Sequence, residues 1–207
     1  MPMSRPVLPS ALVVLASCLA MIATVSPRPA SAQAAVAGDT GVFTIGEGAL
    51  SLEAPQGWKR VQPKSGIVET EFAIPSEGVG ADGTPLPAGR MTVMGAGGSV
   101  EQNIDRWYGQ FSQPDGGSTK DKASTKRLKV AGRDVTLVDI PGTYKDAPGG
   151  PFAGGKTIDR PGYRMLAAIV EGPDGNYFLK FYGPAATVEA HAVGFRTMVE
   201  GMVPATK

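Results

Sequence analysis

The chain has a single cysteine, Cys18, and a single histidine, His191. One cysteine cannot form a disulfide within the chain, so the folded part has to rely on its hydrophobic core. One imidazole excludes metal centres built on several histidines, and it leaves His191 as the only ring available for a Ser-His-Asp triad. Because no triad partners stand at a recognisable spacing, we interpret His191 as a surface or half-buried helix residue.

An excess of charge of either sign is also missing. The 20 Lys and Arg residues are balanced by 19 Asp and Glu, which gives a formal net charge of +1. This balance gives no indication of a nucleic-acid partner or of an anionic membrane surface. The sequence also has no Asp-rich segment with the spacing of an EF-hand and no P-loop or dinucleotide fingerprint. We therefore expect no cofactor.

Charged residues are absent from Val7 to Val25, a largely apolar run near the start of the chain. Arg5 precedes this run, and the small residues Ala30-Ser31-Ala32 follow it, with Ala32-Gln33-Ala34 as a second register. A basic start, an apolar stretch and small residues at alternate positions are the three parts of a cleavable secretory signal. The sequence therefore predicts cleavage after Ala32 or Ala34.

We accordingly expect residues 1–32 to be a signal peptide, residues 33–40 to be a flexible lead-in, and the mature protein to be periplasmic or secreted. Two other fates of the first segment stay open. About 20 apolar residues suffice for an uncleaved membrane anchor, although Pro9 argues against one. Leu15-Ala16-Ser17-Cys18 resembles a lipobox, in which Cys18 would be acylated and would anchor a lipoprotein.

The mature chain is long enough to bury a core of its own, and residues 41–207 are predicted to form one domain without a transmembrane segment. Period-two alternation of apolar and polar residues predicts six strands, over residues 68–74, 90–94, 126–130, 133–140, 163–171 and 177–182. Ala131-Gly132 and Pro173-Asp174-Gly175 lie between consecutive strands, and such turn residues are typical of hairpins. The sheet should therefore be largely antiparallel.

Two main helices are expected to cover this sheet. Ser99 and Gln102 have the spacing of a capping box, and apolar residues from Val100 to Phe111 then recur at helical spacing. Thr187 is the expected cap of a second helix, whose apolar stripe runs from Val188 to Met202. Together these elements predict an α+β fold with a largely antiparallel sheet.

Several segments in this order resemble the Mog1/PsbP-like α/β/α sandwich, and more closely resemble uncharacterised exported bacterial proteins of that type. The segments that carry the resemblance are Pro55-Gln56-Gly57-Trp58, Arg106-Trp107-Tyr108, Gly142-Thr143-Tyr144, the hairpin from Tyr163 to Tyr182 with Gly183-Pro184, and the closing helix with Phe195 and Met198. The resemblance covers about Leu50 to Met202.

The resemblance implies a domain that usually binds other proteins. PsbP-like members attach to a photosynthetic membrane complex, and Mog1-like members bind a small GTPase. No motif of this chain matches their binding residues, so neither role is carried over. The resemblance favours a binding module and leaves the partner unidentified.

A long segment without strand periodicity, Lys145 to Gly162, is the most unusual feature. Loops of more than about 12 residues within a domain are uncommon and often functional. This one carries four candidate recognition residues, Phe152, Lys156, Asp159 and Arg160. We expect it to flank a recognition surface, together with a second irregular stretch, Pro75 to Gly89. A solvated loop without a function is the alternative.

Three further groups of residues have two readings each. Trp107 and Tyr108 are adjacent on the first helix, so one of them is a candidate binding aromatic and the other belongs to the core. Gly97-Gly98-Ser99 opens that helix, where an anion site or a plain capped turn is expected. Glu69 and Glu71 are carboxylates on one strand face; such a pair is able to do acid–base chemistry or bind a cation, but we interpret this face as solvated.

The sequence therefore favours a non-enzymatic protein-binding or accessory module outside the cytoplasm, whose partner is another envelope or secreted protein. No trio of titratable residues has the spacing of a catalytic site, and no metal site is expected. A small-ligand carrier and a hydrolase are the alternatives. A carrier is expected to have an apolar cavity between sheet and helix.

Overall fold

Eight antiparallel strands form the main sheet of the part of the chain that the computed structural model describes, residues 41–147 and 156–206. The strands are β1 (Val42–Ile45), β2 (Leu50–Glu53), β3 (Lys59–Val61), β4 (Thr70–Ile74), β5 (Gly89–Ala96), β6 (Phe111–Ser112), β7 (Ser124–Val130), β8 (Arg133–Asp146), β9 (Ile158–Glu171), β10 (Asn176–Pro184) and β11 (Val203–Pro204). The helices are α1 (Val100–Tyr108), α2 (Thr119–Lys122), α3 (Ala185–Ala190) and α4 (Ala192–Glu200).

The strand order of the main sheet is β3-β4-β5-β10-β9-β8-β6, and β7 also pairs with β8. The strands β1, β2 and β11 form a separate three-stranded sheet. Every pairing in both sheets is antiparallel. The predicted antiparallel sheet is therefore confirmed. Within the described ranges, no helix is long and apolar enough to cross a membrane.

The two faces of the main sheet have separate cores. We call the face that α1 covers the front face, and the face that α3 and α4 cover the back face. Side chains alternate between them along β10, with Phe178 in the front core and Leu179 and Phe181 in the back core. The β1-β2 hairpin contributes to the back core. Helices on both faces of a sheet make an α/β/α sandwich, as the sequence predicts.

The first predicted helix begins with the predicted cap. Ser99 Oγ accepts the backbone N–H of Gln102, and the Gln102 side chain accepts the backbone N–H of Ser99. This reciprocal pair satisfies two N–H groups that have no partner within the helix. The helix ends earlier than predicted, at Tyr108, and Phe111 lies in β6.

The second predicted helix is divided, and the prediction that Thr187 caps it is wrong. Its N-cap is Pro184, and α3 gives way to α4 at His191. Thr187 is fully buried inside α3, where its hydroxyl accepts the backbone N–H of Glu77. Because Pro184, the last residue of β10, has the extended ψ of 137° that an N-cap adopts, the helix begins at the end of β10, before Thr187.

The predicted long loop is shorter than expected because β8 and β9 continue into it. Their pairing extends to Asp146 opposite Ile158. Pro161 and Gly162 lie opposite Thr143 alone, in a β-bulge. A bulge accommodates proline, which has no N–H to donate. Gly162 has a φ of 69°, which glycine adopts without strain.

Candidate functional site

Helix α1 covers only part of the front face. It has nine residues, so it is roughly 14 Å long. Its Trp107 packs edge-on against Phe178 of β10, with ring centroids 5.8 Å apart. The next front-face residues of β10, Lys180 and Tyr182, are only half-buried. A polar and aromatic surface therefore lies beside the helix.

Lys180 is a cation without a carboxylate partner among the described residues. Its Nζ donates to Gln110 Oε1 at 2.8 Å and lies 5.8 and 5.7 Å from the ring centroids of Trp107 and Tyr182. Burial lowers the pKa of Lys180 to about 8, and repulsion from Arg90 and Arg106 adds to the effect. The aromatic rings thus compensate its charge only in part.

Arg90 of β5 also lies near the Tyr182 ring, 5.9 Å from its centroid. Its Nε and Nη2 each donate to a carboxylate oxygen of Glu71 at 2.8 Å, and its Nη1 donates to the Tyr182 hydroxyl at 2.6 Å. Hydrogen bonds from Arg90 lower the pKa of Glu71, although its burial opposes the shift. The Arg90 side chain remains 37% exposed, so solvent reaches it.

The interpretation of Glu71 as a solvated carboxylate is wrong. The residue is 4% exposed and forms the bidentate pair with Arg90. Glu69 does lie at the surface, where its carboxylate accepts the backbone N–H of Gly95 at 3.0 Å. The two residues differ because the partner arginine is supplied by β5, which sequence spacing on β4 does not reveal.

Three tyrosines continue this surface. Tyr144 stacks on Tyr163, with centroids 6.2 Å apart and planes 9° apart, and packs against Tyr182 at 5.0 Å. Burial raises the pKa of all three phenols, so they stay neutral at physiological pH. We call Arg90, Lys180 and these three tyrosines the cation–tyrosine cluster.

The structure places three of the sequence-predicted recognition residues, Trp107, Tyr108 and Arg160, in or beside the front core. Trp107 is buried and contacts Lys180, while Tyr108 is half-buried against the front core. Arg160 is paired opposite Tyr144 and forms an ion pair with Asp146. Trp107 and Arg160 therefore both adjoin the cluster.

The other loop residues are placed differently. Lys156 and Asp159 are exposed, and Asp159 lies opposite Lys145 where the β8–β9 hairpin leaves the sheet. Phe152 falls outside the described residues. The second irregular stretch, Pro75–Gly89, joins the end of β4 to the start of β5, where Ile74 pairs with Gly89. The end of β10 lies at this same end of the sheet and pairs with β9 of the hairpin. Both predicted loops therefore adjoin one end of the sheet.

The sequence missed Lys180 and Arg90 as site residues, although both lie in predicted strands. A signal was present for Lys180, because it alternates with Phe178 and Tyr182 in a strand between apolar neighbours. A lysine on the inward face of a central strand is unusual enough to mark a site. Nothing local distinguishes Arg90.

Polar groups of the glycine turn before α1 form hydrogen bonds within the protein. The N–H groups of Ser99 and Gln102 are used in the capping box, and the carbonyls of Gly97 and Gly98 accept amide groups from Asn103 and Asn176. Gly98 has a φ of 91°, as a sharp turn requires. This arrangement favours the capped turn over the anion site.

His191, at the junction of α3 and α4, contacts Trp58, the residue that precedes β3. Its Nδ1 accepts the indole N–H of Trp58 at 3.2 Å, and its Nε2 lies 3.8 Å from Glu77. His191 is half-buried, and it lies at the junction of the two helices and not within a helix. Among the described residues, no group of three His, Cys, Asp or Glu side chains is arranged to hold a metal ion.

A cleft of about 280 Å³ lies on the back face between α4 and the β7–β8 edge. Leu137, Leu166 and Phe195 form its apolar part, and Lys126 and Arg196 are among its charged lining. Its volume is near the lower limit for small-molecule sites. The cleft lies between sheet and helix, where a carrier is expected to bind its ligand.

No protein-family model and no curated protein matches the chain. The structure is similar to PA94, a Pseudomonas aeruginosa protein of unknown function, at 14% identity and a TM-score of 0.44, over 80% of this chain and 97% of that one. It is also similar to PsbP (CyanoP) from Synechocystis sp. PCC 6803, at 10% identity and a TM-score of 0.43, over 81% and 94%.

A PsbP is thus among the structures to which this chain is similar. The fold itself, an antiparallel sheet with helices on both faces, is of the predicted type. Identities of 10 and 14% concern fold alone, and no role passes from either protein to this chain.

Proposed function

We propose that the protein is an exported, non-enzymatic accessory module that binds another envelope or secreted protein through its front face. The observation that supports this function is the cation–tyrosine cluster, in which Tyr144 is buried and the other four residues remain half-buried beside α1. Tyrosine and arginine are the residue types that concentrate in binding hot spots. A long-lived protein contact would bury these rings and shield the cations from water.

The chemistry of the cluster favours binding over catalysis. Its phenols have raised pKa values, so they donate hydrogen bonds at neutral pH and do not act as bases. Glu71, whose carboxylate contacts Arg90, accepts two hydrogen bonds from it and is not free to take a proton. The groups that remain offer positive charge and flat aromatic surface.

Affinity capture tests this proposal. The tagged chain from residue 33 to 207 is exposed to envelope and secreted fractions of its host, beside an Arg106→Glu variant. Arg106 is exposed on α1 and repels Lys180, so the substitution reverses the charge at the edge of the cluster. We expect a stoichiometric protein that the wild type retains and the variant loses at least tenfold.

The matched control is Lys129→Glu, a charge reversal at an exposed residue of β7. This variant should retain the same partner as the wild type. Loss of the partner from both variants would point to net charge alone, and retention by both would exclude the front face as the binding surface.

The back-face cleft favours a second candidate function, a small-ligand carrier. Native mass spectrometry of the protein from its host tests it. A carrier should show a bound small molecule that is lost when Leu137→Trp fills the apolar part of the cleft. An unliganded wild type under gentle desorption would argue against this candidate.

A further inference from the structure

We infer that the cation–tyrosine cluster recognises the carboxylate of an Asp or Glu side chain on the protein partner, which docks at Lys180 and Arg90. This inference rests on the proposed function and names the chemistry of its binding site. It begins from the Tyr182 ring, which has the Lys180 ammonium 5.7 Å and the Arg90 guanidinium 5.9 Å from its centroid.

The charge around this ring is unbalanced. Arg90, Lys180 and Arg106 contribute three positive charges, and Glu71 is the acidic group that contacts one of them directly. Half-buried lysines usually have an acidic partner, because an uncompensated charge loses hydration. Among the described residues, Lys180 has only an amide oxygen and two rings. A carboxylate from outside the chain would complete the site.

The hydrogen-bonding capacity of the site agrees with such a ligand. An ammonium has three N–H donors, and Gln110 takes one from Lys180. A guanidinium has five, and Glu71 and Tyr182 take three from Arg90. Donors therefore remain on both cations, and a carboxylate is a planar acceptor that fits a guanidinium edge.

The site predicts a pH dependence of ligand binding. Lys180 has a pKa of about 8, and a bound carboxylate favours its charged form. If binding raises that pKa by one unit, affinity should fall roughly eightfold from pH 7 to pH 10.

The titratable and charged groups on the elements packed around Lys180 and Tyr182 are Glu71, Arg90, Arg106, Tyr144, Asp146, Tyr163 and Tyr182. The raised pKa values of the tyrosines keep them largely protonated, and the arginines stay charged. Lys180 is therefore the group in this cluster whose charge changes.

A lysine-labelled NMR titration of the full chain tests the inference without the natural partner. The probes are acetyl-Gly-Glu-Gly-amide, its matched amide acetyl-Gly-Gln-Gly-amide, and inorganic phosphate. We expect the Glu peptide to raise the pH midpoint of the Lys180 side-chain signal by about one unit and the Gln peptide to leave it unchanged. Equal shifts with both peptides, or none with the Glu peptide, would overturn the inference. A stronger shift with phosphate would overturn the assignment to a carboxylate.

Two variants locate the effect. Lys180→Met should lose at least fivefold of the affinity for the Glu peptide at pH 7, and Lys129→Met, at an exposed position of β7, should bind as the wild type does. Methionine fills the volume of a half-buried lysine and needs no charged partner, so this variant should fold. Unchanged binding by Lys180→Met would place the carboxylate elsewhere.

The peptide titration and affinity capture fail independently. A Glu peptide that binds at Lys180 while no partner is captured would support the carboxylate site and refute the accessory function. A captured partner whose binding is insensitive to Lys180→Met and to pH would support the function and refute the carboxylate site.

Discussion

Two half-buried cations on the front face are held in opposite ways. Arg90 has a buried carboxylate in contact, and this raises its pKa above that of free arginine. Lys180 has none among the described residues, and its pKa falls to about 8. The folded chain therefore holds the Lys180 proton less tightly than the unfolded chain. Its charge costs stability below pH 8, and that cost fades as pH rises toward the ordinary lysine pKa. Residues that reduce stability in this way are often retained for function.

The Glu71–Arg90 pair should contribute to stability above the acidic range. Its lowered pKa means that the contribution is present above the ordinary value of 4.5 and is lost as pH falls through the lowered value. Glu71→Gln leaves Arg90 without its carboxylate, so we expect a loss of about 2–3 kcal/mol in the free energy of unfolding at pH 7. Urea denaturation at pH 7 and pH 3 measures it.

The control for this prediction is Glu69→Gln on the same strand face, where the carboxylate is exposed. Exposed charges contribute little, so its effect should stay below about 0.5 kcal/mol. Equal losses for both variants, or a Glu71→Gln loss that persists at pH 3, would mean that the ion pair is not the source of the stability.

Among the elements, strands with regular alternation were predictable and short or interrupted ones were not. The run from Arg133 to Ile140 is predicted as a strand, and β8 contains it. The pairs β1–β2 and β2–β11 are only four and two residues long, too short for periodicity to mark them. Their pairing depends on the back core, since Phe43, Ile45, Leu50 and Leu52 are buried there.

The site was less predictable than the fold because its members come from different elements. Trp107 and Arg160 were identified from an aromatic pair and a long loop, and both adjoin the cluster. Lys180 and Arg90 approach one ring only because β10 pairs with β5, at Arg90 opposite Tyr182. Such cross-strand neighbours are set by register, which a single sequence does not specify.

The tip of the β8–β9 hairpin offers a test at the element scale. Replacing residues 148–155 by a Gly-Ser linker of equal length leaves the terminal pair, Asp146 opposite Ile158, in place. We expect the unfolding midpoint to change by less than about 3 °C, because this pair and the bulge are retained. Partner capture should fall at least tenfold if the tip contributes Phe152 to recognition.

The control for this replacement is a Gly-Ser linker of equal length in place of residues 63–67. That segment joins β3 to β4 at the opposite end of the sheet from the hairpin. Capture should survive there. A hairpin-tip variant that captures the partner as well as the wild type does would restrict recognition to the cation–tyrosine cluster.

At the scale of the whole molecule, the net charge is small, although the front face has a local excess of cations. Removing residues 1–32 takes away Arg5 and Arg28, which leaves 18 basic and 19 acidic residues and a formal charge of −1. An acidic partner would then be attracted by the front face and not by the protein as a whole. Binding should depend on salt through a few contacts, because each is screened within about 10 Å at 0.1 M salt.

Export is the last property that the proposed function requires, and the processing of the first segment tests it. Ala32 occupies a small-residue position in both cleavage registers, Ala30-Ser31-Ala32 and Ala32-Gln33-Ala34. Ala32→Tyr should therefore block both cleavages, and the precursor should accumulate. The intact mass of the wild-type protein from its host should correspond to a start at residue 33 or 35.

Cys18→Ala separates cleavage at Ala32 from the lipoprotein alternative. If signal cleavage occurs at Ala32 or Ala34, this variant should be processed as the wild type is, because Cys18 lies within the removed segment. In a lipoprotein, Cys18 would be acylated and would become the first residue, so the same substitution would block maturation and release the protein from the membrane fraction. A wild-type mass with an acylated Cys18 would place the protein at a membrane surface, where its partner would have to be sought.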